Sequence, residues 1–259
     1  MAMLKCLLAA ASVFISLLVH GVAGDNMTTW FTGATASFYG DMRGRGTNHG
    51  TCGYGDLKKQ GYGLKTTALS AALFNDGLAC GGCYALMCVD DPKGCLPNAG
   101  AVLVTATNFC LSNYSKPPEG TNNWCNPPSK HFRLSLPMYT KIADRKTPMV
   151  PVMYRRVPCA KAGGVKFQLV KGDSSMMCVL LYNVAGAGDV SDVNIKGSDS
   201  SGWLQMTRIQ GQTWQIANEL QGRSLSFLVT TSDGKMVEFD NIVSNNWRFG
   251  ETYDGIKNF

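Results

Sequence analysis

The sequence predicts an all-β protein of two domains, a small β-barrel followed by a β-sandwich. Three observations lead there. Eight of the ten cysteines lie between Cys52 and Cys159, which marks a loop-rich, cross-linked first half. The charge changes sign along the chain, from +7 over residues 25–161 to −2 over residues 162–259. Beyond Ala162-Gly163-Gly164, apolar residues alternate with polar ones in short runs, the period of half-buried strands. The domain joint is therefore placed there, with residues 25–164 on one side and 165–259 on the other.

Before the first domain, Met1 to Gly24 carries one early charge at Lys5, an apolar run from Leu7 to Val19, and the small residues Gly21-Val22-Ala23-Gly24. That is the build of a secretory signal cut before Asp25, and its apolar core is short for a membrane span. No later stretch is long and apolar enough to cross a bilayer. In the first domain, Thr66 to Phe74 reads as one helix ended near Asn75-Asp76-Gly77, with strand-like runs at Ala101–Ala106 and Met149–Tyr154. In the second, Val165, Phe167 and Leu169 alternate with polar neighbours, as do Leu225, Phe227 and Val229, then Val237 and Phe239. Ser232-Asp233-Gly234-Lys235 joins the last two runs with a hairpin signal.

Composition narrows the function. Of 259 residues, 45% are hydrophobic and 16% charged, and the mean hydropathy is −0.05. This supports a packed core and argues against a disordered chain or a general membrane protein. A net charge of +6 is too weak for nucleic acid as a first reading but compatible with acidic polymers. Removing Cys6 with the signal leaves an even set of eight cysteines, expected as four disulfides, and Cys178, expected as a buried free thiol in an apolar run. Zinc is the competing reading for Cys80-Gly-Gly-Cys83. No second such pair follows, and His20, His49 and His131 complete no finger, so neither metal nor cofactor is expected. Asn26-Met27-Thr28 and Asn113-Tyr114-Ser115 are glycosylation sequons. Arg155-Arg156 reads as a solvated or structural pair.

Motifs spread along the chain carry a family resemblance. They include Ala36-Ser37-Phe38-Tyr39-Gly40, Cys52-Gly53-Tyr54-Gly55, Ala72-Leu73-Phe74-Asn75-Asp76-Gly77 and Thr105-Ala106-Thr107-Asn108-Phe109-Cys110. Trp124-Cys125-Asn126-Pro127-Pro128, His131-Phe132, Tyr154-Arg155-Arg156-Val157-Pro158-Cys159, Gly186-Ala187-Gly188-Asp189-Val190 and Ser224-Leu225-Ser226-Phe227 follow in order. Together they resemble an alpha-expansin over nearly the whole chain after the signal. The resemblance implies a secreted plant wall protein, with a six-stranded double-psi β-barrel of the family-45 endoglucanase type. The barrel would be followed by an immunoglobulin-like β-sandwich similar to a carbohydrate-binding module. It also implies the pairs Cys52–Cys80, Cys83–Cys159, Cys88–Cys95 and Cys110–Cys125; spacing alone leaves the connectivity open.

The chain departs from the family where chemistry is concerned. Glycoside hydrolysis takes two carboxyl groups, and expansins usually keep only the acid of a His-Phe-Asp motif. Here the motif reads His131-Phe132-Arg133, and a second position that is commonly acidic is Arg43. Arginine neither gives nor takes a proton near neutral pH. No catalytic residue is therefore assigned, although Asp41 lies close in sequence. A polysaccharide groove is expected from Tyr39, Arg43, Asn108, His131 and Arg133. The two arginines are either solvated charges or a retuning of the groove towards acidic polymers.

On the module, the expected aromatic positions read Ser174-Ser175-Met176-Met177 and Gln210-Gly211-Gln212-Thr213-Trp214. Its binding face is expected to hold Met176, Gln210 and Trp214, with Trp214 either there or packed in the core. Trp203 and Trp247 read as core. The function implied is non-enzymatic loosening of the plant cell wall, by disrupting contacts between cellulose and matrix glucans. The alternative is a wall polysaccharide-binding protein of reduced or lost loosening activity. Expected partners are cellulose, xyloglucan or other matrix glucans, with pectin a further candidate. The expected state is a monomer in the wall, with peripheral membrane association as an option.

Overall fold

The computed structural model describes residues 28–46, 49–113, 123–171, 176–217 and 220–259. The signal segment, Asn26, Ser174 and Ser175 lie outside the described residues.

Six strands close a barrel: β1 (Phe31–Tyr39), β2 (Thr66–Leu69), β3 (Cys83–Cys88), β4 (Val102–Phe109), β5 (Lys130–Ser135) and β6 (Val150–Val157). Their order around the barrel is β1-β5-β2-β4-β3-β6. Strands β1 and β5 run parallel, as do β2 and β4, and the other neighbours are antiparallel. Alternation points Ala34, Ala36, Phe132, Leu134, Val150 and Val152 inward. Phe132 is fully buried, with its ring 5.4 Å from that of Tyr84 and 5.0 Å from that of Tyr154. Closure leaves the barrel no unpaired edge.

The helix expected over residues 66–74 is a correction. Thr66–Leu69 is strand β2, and only Ala71–Phe74 forms a helix, α1, followed by a 3-10 turn at Asn75–Gly77. All four β2 residues are buried between β4 and β5, where pairing on both sides overrides the helical spacing of the apolar positions. The two threonines suit that environment, because branching at Cβ fits a pleated sheet. A second single-turn helix, α2, spans Leu136–Tyr139.

The sandwich follows with β7 (Lys166–Lys171), β8 (Met177–Tyr182), β9 (Val190–Gly197), β10 (Leu204–Gln205) and β11 (Thr207–Gln210). It continues with β12 (Thr213–Ile216), β13 (Leu225–Thr231), β14 (Met236–Val243) and β15 (Thr252–Asp254). One sheet has the order β10-β9-β13-β14 and the other β11-β12-β8-β7-β15. Phe167 stacks on Phe227 at 4.7 Å and meets Phe239 edge-on at 5.0 Å, joining the sheets through fully buried rings. Each such ring contributes roughly 1.5–3 kcal/mol by burial. Between β13 and β14, Thr231 N–H donates to Lys235 O at 2.9 Å, closing the hairpin over Asp233-Gly234.

The second sheet also faces the barrel. Residues on β8 alternate, so Met177, Val179 and Leu181 enter the sandwich core while Leu180 joins the barrel core. Backbones touch at this junction because two glycines leave room. A Cβ on Gly211 would stand 2.4 Å from Cys52 Cα, and one on Gly188 would stand 2.3 Å from Cys159 Sγ. Gln212 Nε2 donates to Cys80 O at 2.8 Å across the same seam.

Candidate functional site

Strand β5 turns His131 and Arg133 to the outside of the barrel, while Phe132 and Leu134 fill the inside. Register carries a row across the outer face. Ser37 on β1 lies opposite Arg133, Arg133 opposite Ala68 on β2, and Ala68 opposite Asn108 on β4. Adjacent strands are about 4.8 Å apart, so Arg133 and Asn108 start roughly 10 Å from each other. Ala68 between them is small and carries the Cys110–Cys125 disulfide on its outer side.

His131 differs from the expected groove contact: it is 0% exposed. Its Nδ1 is 2.7 Å from Thr35 Oγ1 and its Nε2 2.7 Å from Ser37 Oγ. A neutral imidazole donates from one nitrogen and accepts at the other, so both hydroxyls are matched. Burial, with Arg133 adding to it, lowers its pKa to about 3. The ring therefore positions its neighbours and carries no charge to a ligand. The indole of Trp124 packs against it, tilted by 39° with 5.6 Å between centroids.

Arg133 is exposed, and its Nε donates to Phe38 O at 3.4 Å. Beside it opens a cavity of about 310 Å³ lined by Trp124, His131, Arg133, Phe38, Leu111 and Pro148, among others. Tyr39 is half-buried and within hydrogen-bond distance of Thr66 Oγ1 at 3.2 Å. Burial raises its pKa, while Thr66 and the nearby Arg133 charge pull the other way. Asn108 Oδ1 is spent on the protein, accepting from Thr51 N at 2.8 Å, Thr51 Oγ1 at 3.1 Å and Phe109 N at 2.8 Å.

Arg43 is exposed in the turn after β1 and does not line the cavity. The turn is organised by Asp41, whose carboxylate accepts from Arg43 N at 2.9 Å, Arg45 N at 3.0 Å and Arg45 Nε at 2.5 Å. The Arg45 hydrogen bond is the largest influence holding the Asp41 carboxyl below its ordinary range. Asp41 is thus an ionised turn cap.

The outer row runs on to the second domain. Thr51, held by Asn108, precedes Cys52 and Gly53, and Gly53 packs against Thr213 and the backbone of Gln210. Gln210 is exposed at this junction, next to the barrel. Met176 is half-buried just before β8, roughly 13 Å further along the strand direction at 3.3 Å per residue.

Trp214 is not on the face: it is 3% exposed, packed in the sandwich core, with the Arg208 guanidinium 4.5 Å from its ring centroid. Strand alternation at Trp214 could have predicted this, since Thr213 and Gln215 face the barrel side. Trp247 is buried and donates to Arg223 O at 3.0 Å. Trp203, expected in the core, is instead half-exposed beside β10, with Lys196 Nζ 4.6 Å over its ring. Edge position explains the difference, because β10 ends its sheet and, among the described residues, no strand pairs with its open side.

The cysteines of Cys80-Gly-Gly-Cys83 are taken by two disulfides, Cys52–Cys80 and Cys83–Cys159. Cys88–Cys95 and Cys110–Cys125 are the others, and Cys178 is free and buried. Asn113 is exposed, and the rest of its sequon lies outside the described residues. Sequence reasoning missed Trp124 as a cavity wall. Its signal was a tryptophan fixed by an adjacent disulfide cysteine, and the base of its loop is closed by Asn113 N–H donating to Asn126 Oδ1 at 2.7 Å.

Comparisons with known proteins agree with this architecture. The family model described as Expansin C-terminal domain matches residues 165–244, and the double-psi barrel model described as Lytic transglycolase matches residues 66–154. Expansin-A23 of Arabidopsis thaliana is 55% identical over 232 residues, covering 90% of this chain and 82% of that protein. Expansin-A25 of the same plant is 54% identical over 232 residues, covering 90% and 81%. Expansin-A32 of Oryza sativa subsp. japonica is 44% identical over 228 residues, covering 87% and 83%. Among solved structures, the apo expansin of Clavibacter michiganensis superposes with a TM-score of 0.64 at 19% identity, covering 87% of this chain and 96% of that one. A mutant of that expansin in complex with cellohexaose gives 0.62 at 19% identity, with the same coverage.

Proposed function

The chain belongs to the expansin family, of the alpha type, and from that premise we propose that it loosens plant cell walls by competing for non-covalent contacts between cellulose and matrix glucans. It is a wall-loosening protein and a non-enzymatic one. It binds polysaccharide, in keeping with its C-terminal domain and with the cellohexaose complex of its bacterial neighbour. At this identity the reading that loosening has been lost is not favoured.

The observation that supports the mechanism is Arg133 exposed on the outer face of β5, the position at which the family resemblance puts the usual acid. Hydrolysis needs a proton donor and a second carboxylate across the bond. Arg133 supplies neither, and Asp41 is ionised by its pairing with Arg45. What the face does supply is contact area: Tyr39, Arg133 and the Trp124 cavity on the barrel, then Gln210 at the junction. On this reading residues 25–164 carry the groove and residues 165–259 the module. A glucan chain laid along the row exchanges its hydrogen bonds with neighbouring chains for bonds to the protein. The place of action is the wall outside the cell, reached through the segment 1–24.

The test is creep of heat-killed plant walls under load, with reducing ends measured in the same bath. Extension without release of reducing ends is expected. Release of reducing ends that vanishes in Asp41→Asn would replace this mechanism with an enzymatic one.

A further inference from the structure

We propose that the cavity beside Arg133 binds a uronic-acid unit of an acidic wall polysaccharide, with the carboxylate on the guanidinium and the sugar ring against Trp124. This rests on the polysaccharide-binding reading above and names a ligand class for one part of that face.

Four features of the cavity point the same way. First, its charge is uncompensated: among the described residues no carboxylate pairs with Arg133. Its Nε makes the hydrogen bond to Phe38 O, and none of its described hydrogen bonds uses Nη1 or Nη2. A guanidinium presented that way matches a carboxylate by two parallel hydrogen bonds, which a neutral glucose hydroxyl does not offer. Second, the wall is aromatic: Trp124 lines the cavity and packs, tilted by 39°, against His131 at 5.6 Å between centroids. Sugar rings present C–H faces that pack on such surfaces. Third, Arg133 is the one charge among the described residues that line the cavity: His131 is buried, which keeps the ring neutral, and its two nitrogens are held by Thr35 and Ser37. Fourth, the one acid in the turn after β1, Asp41, is neutralised by Arg45 and so does not repel an anion.

The cavity is also of ligand size, about 310 Å³, at the lower end of the range for small-molecule sites. The Cys110–Cys125 disulfide and Pro148 give it rigid sides. A net charge of +7 over residues 25–161 raises the local concentration of a polyanion around it. A loosening protein with such a site would be held at acidic matrix polymers while its outer row engages neutral glucans.

The experiment is isothermal titration of the secreted, disulfide-bonded protein with hexagalacturonate, its full methyl ester, an acidic glucuronoxylan oligosaccharide and cellohexaose. Hexagalacturonate or the glucuronoxylan fragment should bind, the tighter of the two naming the source. Esterification should weaken binding about tenfold or more, the worth of a charge-assisted pair. Arg133→Ala should lose a similar factor, and Arg133→Lys should lose less. Lys59→Ala, which removes one charge from the barrel surface, should change affinity less than twofold. Equal affinity for acid and ester, or equal losses in Lys59→Ala and Arg133→Ala, would overturn the proposal in favour of diffuse charge attraction. Arg133 is exposed, so matched thermal melts confirm that the variants are folded. If uronate binding fails while wall creep persists, this inference falls and the loosening mechanism stands. If creep fails while uronate binding persists, the reverse holds.

Discussion

Arg156 of the barrel donates from Nη2 to Asp189 Oδ1 of the sandwich at 2.5 Å, with both side chains nearly buried. The same guanidinium reaches Ala187 O at 2.8 Å and Tyr84 OH at 3.3 Å, and Asp189 also accepts from Ser232 Oγ at 2.9 Å. Burial works against the charge on Arg156, but Tyr84 and Asp189 more than offset it and raise its pKa. The pair clamps the two domains in the arrangement that makes the outer row continuous.

Removing one partner should therefore cost more than removing both. Asp189→Ala leaves a buried guanidinium without its carboxylate and should lose roughly 3–5 kcal/mol. Arg156→Met with Asp189→Leu should lose less than the single change. Urea denaturation of the variants reads this directly. A loss below about 1 kcal/mol in Asp189→Ala would mean that water or another group takes over.

The glycine contact at the junction has a built-in control. Gly211 has φ +51 and would place a Cβ 2.4 Å from Cys52 Cα, whereas Gly163 has φ +75 and nothing within 4 Å. Both alanine variants carry the left-handed backbone cost of order 1–3 kcal/mol, but only Gly211→Ala must also push backbone apart. We expect Gly211→Ala to lower stability further and to broaden the small-angle scattering profile. Identical behaviour of the two variants would show that the seam yields freely.

Acid should weaken the fold through His131. Its pKa is about 3 in the folded protein against about 6.5 in the unfolded chain. A depressed histidine contributes stability that is fully present above pH 6.5 and is lost as pH falls towards 3, because the unfolded chain takes the proton first. At pH 4.5 the loss is roughly 2–3 kcal/mol. His131→Gln, which keeps a donor and an acceptor, should shrink the stability difference between pH 7 and pH 4.5. An unchanged difference in calorimetry would assign the acid sensitivity to other groups.

Disulfide removal should follow loop length. Cys83–Cys159 closes a separation of 76 residues and Cys88–Cys95 one of 7. Chain entropy assigns these roughly 4.5 and 2.5 kcal/mol. Paired Cys→Ala variants should melt in that order, and the reverse order would show that native-state strain dominates.

On the module, Gln210→Trp places an aromatic ring at an exposed junction position, in line with the outer row. One stacking contact of about 1 kcal/mol should tighten binding to cellulose about fivefold. Depletion assays on microcrystalline cellulose test it. No change would place the glucan track elsewhere on the module.

The alternating apolar positions were legible without coordinates because a strand has a period of two wherever one face is buried. Phe167, Phe227 and Phe239 are such positions, and they meet in one core. The cysteine-dense first half was equally plain, since residue type alone carries it. Thr66–Leu69 was misread as helix because a short apolar run has no decisive period, and only pairing with β4 and β5 settles it. The roles of two tryptophans were also hidden: Trp203 is half-exposed and Trp124 lines a cavity, whereas the core place of Trp214 is one of the two readings its sequence allows.

Residue type and spacing by themselves determined two β domains and a cross-linked barrel half, with an arginine at residue 133. The tertiary structure alone decided that His131 is a buried, neutral support and that Arg133 stands over an aromatic cavity. The reason is separation along the chain. Ser37 and His131 hydrogen-bond across 94 residues, and Gln212 and Cys80 across 132, so their meeting depends on strand order and domain docking, which no local pattern encodes.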